Sequence, residues 1–123
     1  MAAGIATVGT LIEQRDTIYP QLERVSTAVA DGVAGMASQA GVAVTTNRVG
    51  SMFTWFFTGD AVTDYESASR SNTKQFAAFH RAMLHAGIWL PPSQFEAAFL
   101  STAHTDADIT ATIAAARKAF AGC

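Results

Sequence analysis

The run Met52-Phe53-Thr54-Trp55-Phe56-Phe57-Thr58 leaves this chain few folds to choose from. A strand sends alternate side chains to opposite faces, so Phe53, Trp55 and Phe57 share one side. Met52, Thr54, Phe56 and Thr58 share the other. Aromatic residues on both sides predict a strand covered on both faces. Before it, Val42 to Val49 reads as a second strand, with Val42, Val44, Thr45, Thr46 and Val49 all β-branched. The break at Gly50-Ser51 is so short that the two strands must be antiparallel neighbours. Ile88-Trp89-Leu90 reads as a short third strand, stopped by Pro91-Pro92, which have no N–H and a fixed φ.

Helical periodicity accounts for most of the rest. Ile5, Val8, Leu11 and Ile12 recur at helical spacing from Ala2 to about Gln14. Nothing caps that helix, so residues 1–15 are expected to enter from a larger protein. Asp16 and Thr17 offer N-cap chemistry for a helix from about Ile18 to Gln39, with Pro20 in its first turn and Gly41 as its stop. Its stripe of Ile18, Leu22, Val25, Val29, Val33 and Met36 reads as core. Residues 59–70 are polar and turn-rich and read as an exposed loop anchored by Tyr65. Ser71 or Asn72 caps a third helix ending near Ala86, with Phe76, Phe79, His80 and Met83 on one face. Thr105 and Asp108 form a box-like start to a last helix, and Ile109, Ile113, Ala116 and Phe120 form its core face. Asp106 and Asp108 at its start and Arg117 and Lys118 at its end suit the helix dipole. The predicted class is α+β: one domain over 1–123, with a small, mostly antiparallel three-stranded sheet packed by about four helices.

Composition narrows the function. Of the 123 residues, 50% are apolar and 15% are charged. That balance describes a globular chain. Eight basic and ten acidic residues give a formal charge of -2. Such a charge offers no electrostatic footprint for nucleic acid or an anionic membrane. No apolar run reaches transmembrane length, and the start lacks signal-peptide features. The single cysteine, Cys123, has no internal partner, which points to a reducing, cytoplasmic compartment.

Little of the usual chemistry is visible. Ser93 and the histidines lie on separate elements, with no nucleophile-elbow setting. His80 and His85 are five apart, not the four of a helical metal pair, and no metal site is expected. The glycines are scattered, with no loop to cradle phosphate. One acid is in unusual company: Glu96 follows Pro91-Pro92 and sits among Phe95, Ala97, Ala98 and Phe99. An acid buried there would need a partner. The pattern leaves two readings open, a loop glutamate turned to water and a carboxylate delivered to a cleft.

Several runs carry a specific resemblance. Asn47-Arg48-Val49-Gly50-Ser51-Met52-Phe53, with Phe56-Phe57-Thr58 after it, resembles the C-terminal domain of glutamate-1-semialdehyde 2,1-aminomutases. So do Phe76-Ala77-Ala78-Phe79-His80-Arg81-Ala82-Met83-Leu84 and the stretch from Gly87 through Leu90-Pro91-Pro92-Ser93-Gln94-Phe95-Glu96 to Phe99. Ala103-His104-Thr105, Asp108-Ile109 and the opening Met1 to Thr7 continue the likeness, and residues 59–70 are the least similar part.

The resemblance implies a pyridoxal-phosphate (PLP) enzyme of the aspartate-aminotransferase fold type. Such an enzyme is dimeric and isomerises glutamate 1-semialdehyde to 5-aminolevulinate, the tetrapyrrole precursor. It also implies that the Schiff-base lysine lies on a large PLP-binding domain outside this chain. Lys74 and Lys118, the only lysines, sit in first and last helical turns and read as solvated. No catalytic residue and no bound cofactor are then expected in this chain alone. Related aminotransferases often place an arginine from this domain against the substrate α-carboxylate, whereas the aminomutases resemble one another in a Ser-Gln-Phe/Tyr-Glu pattern. Ser93-Gln94-Phe95-Glu96 keeps it, which implies that Glu96, with Ser93, faces the small-molecule substrate. Two alternatives stand beside this reading: a free-standing binding or regulatory module, and a domain of another PLP-dependent aminotransferase.

Overall fold

The computed structural model describes residues 1–122, so Cys123 and the expectation about its pairing lie outside the described residues. The elements are α1 (Ala2–Glu13), α2 (Arg15–Gln39), β1 (Thr45–Val49), β2 (Met52–Phe56), α3 (Tyr65–Ser69), α4 (Thr73–His85), β3 (Ala98–Phe99) and α5 (Asp106–Phe120). The sheet has the order β1-β2-β3 and is antiparallel throughout, with Thr46 opposite Trp55 and Met52 opposite Phe99. The α+β class and the three-stranded antiparallel sheet are as expected. The third strand and the helix count are not.

The inward face of β2, continued by Phe57 just past its end, makes the core. Phe53, Trp55 and Phe57 are buried against α2, α4 and α5. Phe79 and Phe120 stack at 4.5 Å, and Phe57 meets Phe76, Phe79 and Phe120 at 5.8, 5.5 and 6.0 Å. Each such ring contributes about 1.5–3 kcal/mol through burial. The Trp55 indole N–H donates to the Ala30 carbonyl at 3.3 Å. Its polar edge is therefore not stranded inside. The second face of β2 is less covered than expected: Met52 is exposed, and Thr54 and Phe56 are half-buried.

The expected strand at Ile88-Trp89-Leu90 is not a strand. Gly87 takes φ +83° after α4, and the amides of Gly87 and Ile88 return to the Leu84 and Met83 carbonyls. This is how a helix commonly ends, with glycine taking the left-handed turn. The His80 ring then holds the Leu90 carbonyl at 3.1 Å, so this stretch is tied to α4 and not to the sheet. The same turn chemistry delays β1. Gly41 lies at φ +71° and the Val42 amide bonds the Ala37 carbonyl, so pairing begins at Thr45. At its far end β2 stops at Phe56 because the Thr58 amide turns back to the Phe56 carbonyl.

Two helices differ from expectation at their starts. α2 begins at Arg15, which puts Asp16 and Thr17 inside its first turn; the N-cap is Gln14, without a side-chain cap bond. Pro20 therefore sits inside α2, beyond the first turn, where it has no N–H for the Asp16 carbonyl. Within the predicted loop, α3 is a helix because Asp64 accepts from the Ser67 amide while the Ser67 hydroxyl accepts from the Asp64 amide. Val62, Ser67 and Ala68 anchor it by burial, whereas Tyr65 is exposed. The caps at Asn72 and at Thr105–Asp108 form as expected. No helix among the described residues is long and apolar enough to cross a membrane.

Candidate functional site

The site grows from the place where β3 stops pairing with β2. Met52 opposes Phe99 and Phe53 opposes Ala98. Continuing that register would set Thr54 opposite Ala97 and Phe57 opposite Gln94. The ladder does not continue. The two prolines bring the chain in without amide donors, and residues 93–96 close a turn instead. In it the Phe95 amide donates to the Ser93 hydroxyl and the Glu96 amide to the Ser93 carbonyl, both at 3.2 Å.

Two bonds pin this turn to β2 and to the residue just past its end. The Thr54 hydroxyl donates to the Glu96 carbonyl at 3.2 Å. The Phe57 amide donates to Gln94 Oε1 at 2.9 Å. That bond satisfies a buried backbone donor that a continued β3 would have met. Gln94 is only 2% exposed. A loop amide is unusual in such a place. Its Nε2 is buried with no partner among the described residues.

Ser93 and Glu96 are thus brought together on one turn. Glu96 is exposed, and its carboxylate makes no hydrogen bond or ion pair among the described residues. The apolar company seen in sequence does not enclose it: Phe95 and Phe99 are themselves 50% and 66% exposed, and Ala97 and Ala98 are half-buried. Ser93 is half-buried, and its hydroxyl accepts from Phe95, which leaves its proton free to donate. Both residues edge a small cavity of about 20 Å³ with Thr54, Phe76, Pro91 and Gln94. It has room for about one water. A larger cleft of about 490 Å³ lies between the 87–91 segment, β3 and α5, where Trp89, Phe99, His104 and Asp108 line it.

The other candidates stay apart. His80 is engaged with Leu90, and because a carbonyl only accepts, its Nε2 carries the proton. His85 is exposed at the end of α4. No group of three or more His, Cys, Asp or Glu among the described residues is arranged to hold a metal. Arg48 pairs with Glu23 at 2.6 Å between β1 and α2, which lowers the Glu23 carboxyl below its ordinary range and raises the guanidinium; neither residue lines either cleft.

PLP needs a desolvated lysine amine and a set of converging donors for its phosphate. Lys74 and Lys118 are both exposed and line neither of these two cavities. The starts of α4 and α5 are closed by their own caps, Asn72 and Thr105. The described residues alone therefore do not fit the cofactor.

Glu96 and Ser93 stand out in the sequence, and Gln94 does not. The only signal for Gln94 is its place in the same four-residue pattern.

No protein-family model matches the chain. The glutamate-1-semialdehyde 2,1-aminomutase of Acidobacterium capsulatum is 59% identical over 121 residues, which is 98% of this chain and 28% of that protein. The chain therefore spans little more than a quarter of the length of this relative. Among solved structures, a glutamate-1-semialdehyde-aminomutase from Pseudomonas aeruginosa PAO1 superposes with a TM-score of 0.73 at 17% identity, over 83% of this chain and 22% of that one. The PLP-containing FumI protein of Sphingopyxis sp. MTA144 does so with a TM-score of 0.70 at 25% identity, over 95% of this chain and 26% of that one. The fold is thus the one that these longer enzyme chains carry in about a quarter of their length.

Proposed function

We propose that this chain, a segment of the glutamate-1-semialdehyde 2,1-aminomutase family, is the C-terminal domain of such an enzyme and supplies Glu96 and Ser93 to its substrate. In this reading the whole protein is a cytoplasmic homodimer that isomerises glutamate 1-semialdehyde to 5-aminolevulinate for tetrapyrrole synthesis. PLP belongs to the larger remaining domain, where it supplies the electron sink. α1, which buries none of its residues here, enters from that domain.

The observation that carries the reading is a turn pinned to Thr54 and Phe57 by two bonds, whose carboxylate and hydroxyl proton have no partners among the described residues. Fixed backbone with free polar tips is what a binding site requires, because the geometry is set before the ligand arrives. The carboxylate only accepts hydrogen bonds and favours the amino end of a substrate. It repels a substrate carboxylate, which is how it would disfavour the amino-acid pose that an arginine holds in ordinary transaminases. The Ser93 hydroxyl can donate to a carbonyl or carboxylate oxygen next to it.

The test is to give glutamate 1-semialdehyde to the purified full-length protein with no added amino donor or acceptor. Formation of 5-aminolevulinate is expected. Turnover that appears only when a keto acid is supplied would assign the chain to a transaminase instead, and no turnover under either condition would refute the reading.

A further inference from the structure

We propose that Gln94 is the positioning residue of this site: its side-chain carbonyl takes the place in the ladder that β3 vacates, and so fixes where Glu96 stands. The inference deepens the proposed function and rests on it. Gln94 falls where a continued strand would face Phe57, and its Oε1 accepts the Phe57 amide at 2.9 Å. The backbone N–H must donate, so the amide orientation is fixed by its partner. Two residues on, the Glu96 carbonyl is held by Thr54. The turn is therefore attached at both ends, to Thr54 of β2 and to Phe57 just past its end, and the Glu96 side chain projects from between these attachments.

Oε1 is the atom through which this side chain bonds the protein, since it accepts the Phe57 amide and Nε2 has no partner among the described residues. A methionine would fill a similar volume without that acceptor. What glutamine adds at this position is the acceptor. Gln94 itself is almost wholly buried, so it acts through the turn rather than on bulk solvent.

The experiment uses the full-length enzyme with Gln94→Met and Gln94→Glu. Losing the acceptor in Gln94→Met should speed hydrogen exchange in the peptide that contains Phe57 and lower kcat/KM for glutamate 1-semialdehyde by about tenfold or more, since small misplacements cost that much. Gln94→Glu keeps an acceptor, so exchange at Phe57 should return to the wild-type rate. Its activity should recover at low pH and fall as pH rises, when a second negative charge forms beside Glu96. Wild-type exchange and wild-type kcat/KM in Gln94→Met would overturn the inference. If Gln94→Met fails to fold, Gln94→Glu decides: inactivity at every pH, or fast exchange at Phe57, overturns it. A wild-type enzyme that makes no 5-aminolevulinate, while Gln94→Met still loosens Phe57, would refute the functional reading and leave the positioning of the turn intact.

Discussion

At Gly32, α2 comes so close to α5 that a β-carbon would stand 2.8 Å from Ile113 Cγ1. One turn along, a β-carbon at Gly35 would meet nothing within 4 Å. Both positions are helical, so alanine brings about 1 kcal/mol of intrinsic preference at each. At Gly32 overpacking, about 1–3 kcal/mol, outweighs it. Gly32→Ala should therefore lower the denaturant midpoint, and Gly35→Ala should raise it by the equivalent of about 1 kcal/mol. At this scale some residues were legible and others were not. Glu96 stood out as an acid in an apolar run, although that run does not bury it, since Phe95, Glu96 and Phe99 are exposed. Gln94 could not be found from pattern, because its role depends on a register between β2 and β3 that sequence does not display.

Capping chemistry dominates at the scale of the element. In α5 the Thr105 amide donates to Asp108 at 2.7 Å, and with the Thr105 hydroxyl it holds the Asp108 carboxyl below its usual range. The Ser67 amide and hydroxyl do the same to Asp64 at α3. A carboxyl whose folded pKa is depressed adds stability that is present above its unfolded pKa, about 3.9 for aspartate, and is lost as pH falls through the folded value. Stability measured by denaturant should thus decline below about pH 4. Thr105→Ala should cost about 1 kcal/mol at neutral pH and make the acid decline shallower. These local signals explain which elements could be read in advance. The caps of α4 and α5 depend on residues three apart and were visible. The misassigned strand at Ile88–Leu90 was not, because a glycine turn and the His80–Leu90 bond override its β propensity. The Asp64–Ser67 box of α3 was hidden in a polar stretch, with serine where glutamate or glutamine is usual.

For the whole molecule, the aromatic content of β2 predicted a strand covered on both faces, and this chain covers one. Met52 and Phe99, register partners on the open side, are 40% and 66% exposed, and Trp89 nearby in the larger cleft is 85% exposed. Exposed apolar side chains at this edge are what the larger domain of the proposed enzyme would cover. Beside a pinned, polar-tipped turn, they fit a chain that spans 28% of its relative's length. The general layout was legible because periodicity and turn residues are local. The uncovered face was not, because whether a face of a strand is covered depends on tertiary packing that alternation alone does not display. The most direct test is the kcat/KM of the full-length protein for glutamate 1-semialdehyde in Glu96→Gln, with Glu66→Gln as the comparison, since Glu66 is an exposed residue 3.7 Å from Arg70 and far in sequence from the turn. A roughly 10- to 100-fold loss is expected for Glu96→Gln, the size of a lost charged hydrogen bond, and no change for Glu66→Gln. Wild-type kcat/KM in Glu96→Gln would contradict the role given to that carboxylate.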